Sequence, residues 1–222
     1  MKNALKLTCI LMSIPSMLGM LASTAYAQVT FIDFQTISGS RSSSPFGWNY
    51  SYDIGYFDEA IQIDIDVQLT GLSTTLEQRN IWESGFENIW SVDAERFGVA
   101  INFNLDWVSS NSDLVVDVVQ SGNGDLITWP IERQPAGAFA AHELGHQMGL
   151  YDEYSGGAVD PDHPERLNSG GLMHTLSGGT LDYYYDDFLD WHSLNVVPEP
   201  SLSALLVGLS ALALVSIYRR KK

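Results

Sequence analysis

His142-Glu143-Leu144-Gly145-His146-Gln147-Met148-Gly149-Leu150-Tyr151-Asp152 is the stretch on which the reading of this chain turns. Residues 136–148 are rich in Ala, Leu, Met and Phe and predict a helix, opened by Pro135, where a missing N–H costs nothing, and closed by Gly149. On a helix, residues four apart stand one above the other. His142 and His146 can therefore present two imidazoles to one metal ion, and Glu143 beside them reaches a water at that ion, not the ion itself. Ala141, Leu144 and Met148 form an apolar stripe for the core. A catalytic metal site needs a third protein donor and an open position. Gly149 permits a sharp turn, and Asp152 can then swing back to the metal. Glu153 is adjacent and has the same chemistry, but the spacing favours Asp152. His163, His174 and His192 are the outside donors, each read as a loop or surface histidine.

Upstream, residues 61–69 (Ile-Gln-Ile-Asp-Ile-Asp-Val-Gln-Leu) alternate without a break, which predicts a strand with one apolar and one wet face. Thr74-x-x-Glu77 is a capping-box pattern, and a helix is expected from there to about Arg96, its core face carrying Ile81, Trp82, Phe86, Ile89 and Trp90. Gly98 ends it. Residues 99–107 alternate again, and 114–119 form another apolar run. Gly122-Asn123-Gly124-Asp125 is a turn signal, so 126–129 is expected as the second arm of a hairpin and as the edge of a cleft. Residues 29–34 suit a first strand and 38–45 a polar loop. No repeat or linker divides the region. The expected fold is α+β: a small twisted, mainly β sheet with a backing helix and a site-bearing helix, followed by an irregular C-terminal part.

The two ends read as addresses. Lys2 and Lys6, the apolar run 7–21 and Ala25-Tyr26-Ala27 make a signal peptide over 1–27, with the mature chain starting at Gln28. At the other end, Pro198-Glu199-Pro200 precedes the uncharged run 201–218, long enough to span a bilayer, and Arg219-Arg220-Lys221-Lys222 closes the chain. All but five of the eleven Lys and Arg, and only one of the 27 acids, lie in these end segments, so residues 28–197 carry a formal charge of −21. Such a body does not bind nucleic acid through phosphates. The single cysteine, Cys9, is in the signal peptide, which excludes disulfides, thiolate metal sites and cysteine nucleophiles from the mature domain.

The run from His142 to Asp152, written HExxHxxGxxD, is similar to the metzincin clan of zinc metallopeptidases in the variant where Asp replaces the third His, and is nearest to the snapalysin-like members. The resemblance implies Zn2+ held by His142, His146 and Asp152, Glu143 as general base, and hydrolysis of a protein or peptide substrate. It also implies a methionine turn beneath the metal, for which Ser169-Gly170-Gly171-Leu172-Met173-His174 qualifies with Met173. The Tyr that commonly follows that turn is missing; Tyr183, Tyr184 or Tyr185 could bring a phenol to the cleft, although aromatic packing is their simpler role. The C-terminal segment 198–222 resembles the PEP-CTERM sorting signal. That implies transient anchoring in the inner membrane of a Gram-negative bacterium, removal by an exosortase-type enzyme, and release to the cell surface or extracellular matrix. The expected organisation is thus signal peptide 1–27, metallopeptidase domain 28–197 and sorting segment 198–222. A non-catalytic matrix or adhesion protein with a structural zinc clip would carry the same features. Asp152, Glu153, Asp160, Asp162 and Glu165 crowd one loop of the kind Ca2+ takes, but the spacing is not an EF-hand and a solvated acidic loop is the simpler reading.

Overall fold

A computed structural model describes residues 31–195. The expected signal peptide 1–27 and sorting segment 198–222 lie outside the described residues. Among the described residues, no helix is long and apolar enough to cross a membrane.

The chain opens with a long antiparallel hairpin of β1 (Phe31–Ser43) and β2 (Phe46–Phe57). The polar loop expected at 38–45 is not a loop: residues 38–43 pair in register with β2, and only Ser44-Pro45 turns. The alternation is present but disguised. Ser38, Ser40 and Ser42 face out while Gly39 and Arg41 face in, and Gly39 lies so close under Tyr50 that an added Cβ would sit 2.6 Å from the phenol oxygen. β3 (Ala60–Gly71) follows the alternation closely, burying Ile61, Ile63, Ile65 and Val67. It is the central strand. β2 pairs with it antiparallel at 61–64, while β4 (Ala100–Trp107) and β5 (Leu114–Val119) pair with it parallel at 60–67 and 67–71.

Between β3 and β4, α1 (Leu76–Trp90) is capped by Thr75, whose hydroxyl accepts from Gln78 N–H at 3.1 Å. Thr74 and Thr75 both satisfy the capping pattern, and the second of them caps. The helix stops at Trp90, short of the expected Arg96, because Val92 leaves it to exchange backbone hydrogen bonds with Ile101; a separate short turn, α2 (Ala94–Phe97), then ends at Gly98 in the left-handed conformation. β6 (Thr128–Pro130) runs parallel to β5, so the expected hairpin with 114–119 is not formed. The glycine turn reverses the chain once, and Asp125 reverses it again by accepting from Ile127 N–H and bridging to Thr128. The result is a six-stranded mixed sheet in an α+β fold.

α3 (Ala136–Gln147) begins directly after Pro135, as expected, and crosses α1 where Gly85 meets Gly137; an added Cβ on Gly85 would lie 2.3 Å from Gly137 Cα. Only two glycines allow backbones to approach this closely. Trp82, Phe86 and Trp90 of α1, Phe103 of β4, Trp129 of β6 and Phe139 of α3 join the core against β3. Each such side chain contributes roughly 1.5–3 kcal/mol by burial. This packing fixes the height and rotation of α3. Beyond Gly149 the chain is mostly irregular, with 3-10 turns at Pro164–Arg166 and Asp182–Tyr185 and a last helix, α4 (Asp186–Asn195).

Candidate metal centre

His142 and His146 project from one face of α3 with ring centroids 5.1 Å apart. Gly149, at φ +87, reverses the chain, and Leu150 to Asp152 returns beneath them. His142 Nδ1 lies 2.9 Å from the Leu172 carbonyl and His146 Nδ1 lies 2.8 Å from the Leu150 carbonyl. A carbonyl accepts only, so each Nδ1 carries a proton, and in the neutral form of each ring the Nε2 lone pair turns the other way. Both lone pairs point at Asp152: His142 Nε2 and His146 Nε2 lie 3.2 and 3.3 Å from Asp152 Oδ1. That oxygen is buried without a hydrogen-bond donor. Asp152 Oδ1 and the two Nε2 atoms lie within 4.8 Å of one another. His142, His146 and Asp152 form a buried group that could hold a metal ion.

Asp152 Oδ2 accepts from Ala158 N–H at 2.7 Å. Burial alone would raise the carboxylate's pKa, but the closeness of the two imidazoles and the hydrogen bond from Ala158 N–H outweigh it and hold the group well below the usual carboxylate range. Glu143 is buried on the cleft side. Desolvation pushes its pKa up to about 7, with His142 opposing and the Asp152 charge adding to the rise.

Glu153, the neighbouring alternative for third donor, turns the opposite way. Its carboxylate accepts from Tyr183, Tyr184 and Ser169 hydroxyls, the Tyr184 bond measuring 2.7 Å. Tyr183 and Tyr184 are thus occupied behind the site, and Tyr185 donates to the Trp90 carbonyl in the core. None of the three borders the cleft. The outside histidines are likewise elsewhere: His163 pairs with Glu165, His174 accepts from Gly170 N–H, and His192 contacts the Phe57 carbonyl. Of the loop acids, Asp160 accepts from Asp162 N–H and lies 3.8 Å from Arg166.

Met173 is fully buried beneath α3. A Cβ on Gly145 would meet its sulfur at 2.5 Å, so the thioether fills the space under the turn that separates the two histidines. The preceding Leu172 carbonyl orients His142, and the Met173 carbonyl accepts from Glu153 N–H.

No protein-family model, curated protein or solved structure matches the chain. Function rests on the site itself and the space around it.

A cleft of ≈ 760 Å3 opens over His142, Glu143, His146 and Asp152. Its walls are the hairpin tip at 46–49, the start of β5, the loop 124–127 and Tyr154 with 156–158. Leu126 and Ile127 border it as expected for the cleft edge, whereas Trp129 turns into the core. Phe46, Val115, Ile127 and Tyr154 are large, exposed and apolar, and all four lie on this rim. Two residues here escaped the sequence reading. Tyr154 follows Asp152 by two positions, its ring 6.3 Å from that of His142, and that proximity in the chain was a usable signal. Trp48 stands edge-on to His146 at 5.4 Å from far upstream, with no local signal.

Proposed function

We propose that this chain is an exported zinc-dependent endopeptidase of the metzincin type, in which His142, His146 and Asp152 hold the ion and Glu143 is the general base. One observation carries the reading: the 3.2 and 3.3 Å separations between Asp152 Oδ1 and the two Nε2 atoms. Two donors bound to one zinc at about 2.0–2.1 Å and a tetrahedral angle stand about 3.3 Å apart. Two imidazole nitrogens with one carboxylate suit zinc better than Ca2+ or Mg2+, which favour all-oxygen shells.

When bound, the ion supplies Lewis acidity, polarising a carbonyl and making water acidic near neutral pH. The protein's own groups do the rest. The Leu172 and Leu150 carbonyls hold the imidazoles in the tautomer that frees Nε2. Glu143 faces the cleft, takes the proton of the attacking water and delivers it to the leaving amine. An extended peptide fits between the hairpin tip and the loop 124–127. β5 pairs with β6 only from Asp117 onward, so the start of β5 is available to a substrate strand, and the exposed rim receives apolar side chains. The end segments 1–27 and 198–222 support export, sorting by an exosortase-type enzyme and delivery to the surface or matrix.

The test is hydrolysis of casein and a peptide library, with metal content measured on the same protein. Glu143→Gln should retain one zinc and lose at least about 100-fold in rate, the lower end of general-base contributions. Chelation should abolish hydrolysis and added zinc restore it. Undiminished hydrolysis by Glu143→Gln would remove the base assignment. A zinc-loaded but inactive wild type would instead favour a matrix protein with a structural metal clip.

A further inference from the structure

The two histidines are not equally secured by the helix that carries them. His142 lies mid-helix, next to Ala141, whose carbonyl accepts a buried hydrogen bond from Trp90 Nε1 at 2.9 Å. His146 is the penultimate residue of α3. The carbonyls of this last turn are closed by the turn that follows the helix, Gly149 N–H donating to the His146 carbonyl at 2.9 Å and Leu150 N–H to the Gly145 carbonyl at 3.0 Å. The second imidazole therefore stands where the helix gives way to a turn, and whatever packs on that turn helps to set its position.

The holding element is the β1–β2 hairpin. β2 pairs with β3 only at Asp53–Tyr56, so the hairpin arm beyond Tyr52 has no third strand beside it. It ends instead on the last turn of α3. Arg41 and Trp48 are direct register partners, which places both side chains on one face of the hairpin. Trp48 Nε1–H donates to the His146 carbonyl at 2.8 Å, and its ring meets the imidazole edge-on. Arg41 Nε–H donates to the Gly149 carbonyl at 2.9 Å, its guanidinium lying over Tyr50 and Tyr151. Tyr151 in turn packs edge-on against Trp48 at 5.3 Å. One rung thus contacts both ends of the segment that carries His146 and reverses the chain toward Asp152.

We propose that the Arg41–Trp48 rung is a positioning clamp for His146, setting the orientation of the imidazole that faces Asp152 and hence the affinity of the site for its ion. The proposal rests on the metal reading above. Trp48 is a positioning residue: it acts through the ligand and touches neither ion nor reacting atoms. Since the hairpin tip is also a wall of the cleft, whatever moves that wall moves a ligand with it.

The purified chain, stripped of metal, is titrated with Zn2+ against a chromophoric chelator and with Co2+ by visible absorption. Trp48→Phe keeps a ring and removes the N–H donor; Trp48→Ala removes both. Zn2+ affinity should fall about 10-fold in the first and toward 100-fold in the second, the range for partners that orient a ligand. The Co2+ band should shift or weaken in both, a change that altered folding stability alone would not produce. Arg41→Gln should show a smaller loss in the same direction, and Ser40→Ala, exposed on the same hairpin, none. The clamp is overturned if folded Trp48→Phe binds Zn2+ as wild type with an unchanged Co2+ band, or if Ser40→Ala loses as much as the Trp48 variants. Should Trp48→Ala fail to fold, Trp48→Phe decides. A wild type that takes up no zinc removes the metal reading, and the clamp with it; a wild type that binds tightly beside equally tight variants removes the clamp alone.

Discussion

Asp152 and Glu153 are consecutive carboxylates, 6% and 4% exposed, in opposite surroundings. On the cleft side, Asp152 Oδ1 has no donor and faces two imidazole lone pairs. On the far side, Glu153 is saturated by the hydroxyls of Tyr183, Tyr184 and Ser169. Burying a charge is costly unless it is compensated. Glu153 is compensated by protein hydroxyls, whereas Asp152 takes Ala158 N–H on one oxygen and with the other joins two imidazoles in a group that could hold a metal ion. Burial and residue type do not tell ligand from scaffold at this pair; the distribution of donors does.

Isosteric exchanges break the comparison most directly. Asp152→Asn keeps an oxygen for Ala158 N–H but removes the charge. Zn2+ affinity should fall by more than the roughly 100-fold that an outer-shell change costs, while the metal-free protein melts near the wild-type temperature. Glu153→Gln should do the reverse. An amide set among three hydroxyl donors loses charge-assisted bonds, so the metal-free protein should lose roughly 1.5–3 kcal/mol in chemical denaturation, with zinc stoichiometry unchanged. Equal effects of the two exchanges on zinc affinity would erase the distinction.

Met173 joins the two sides, since its carbonyl accepts from Glu153 N–H while its sulfur supports α3 at Gly145. Gly145→Ala drives a methyl into that sulfur and toward Trp90. Overpacking of this kind costs about 1–3 kcal/mol. Displacement of the floor between the two histidines should also weaken zinc binding, so this exchange should move both readouts where each carboxylate exchange moves one. Thermal melts with and without zinc check it.

Sequence makes the ligand side far more legible than the side that supports it. His142, Glu143 and His146 are local in the chain, and helical spacing alone places them on one face. Asp152 needs only one turn at Gly149. The central strand is legible too, because its alternation is uninterrupted from Ile61 to Leu69. The hairpin arm is hidden by small residues: Ser and Gly on β1 alternate in burial without alternating in hydropathy. Parallel pairing of β5 with β6 escapes because a glycine turn shows that the chain reverses, not how many times. The clamp on His146 joins residues 98 apart, and the tyrosines on Glu153 lie about 30 residues downstream. Such contacts exist only once the sheet and helices are packed, and no local pattern encodes them.

A third carboxylate sharpens the contrast from the open face of the sheet. Asp66 on β3 has neither the lone pairs that surround Asp152 nor the hydroxyls that surround Glu153; its neighbours are other acids. Partial burial raises its pKa, and Asp113 and Asp106 raise it further. A carboxylate whose folded pKa is raised costs stability above that pKa and costs nothing below its unfolded value, where both states are protonated. Asp66→Asn should therefore stabilise the protein near neutral pH, by about 0.5 kcal/mol or less because the group is only partly buried and still screened by solvent. The gain should vanish as pH falls below the ordinary aspartate value of about 4 and shrink at high salt. A pH-independent gain would mean that shape, not charge, decides at this position. Acidity alone would then not explain the open face, and carboxylates here could be ranked only by their donors, as at Asp152 and Glu153.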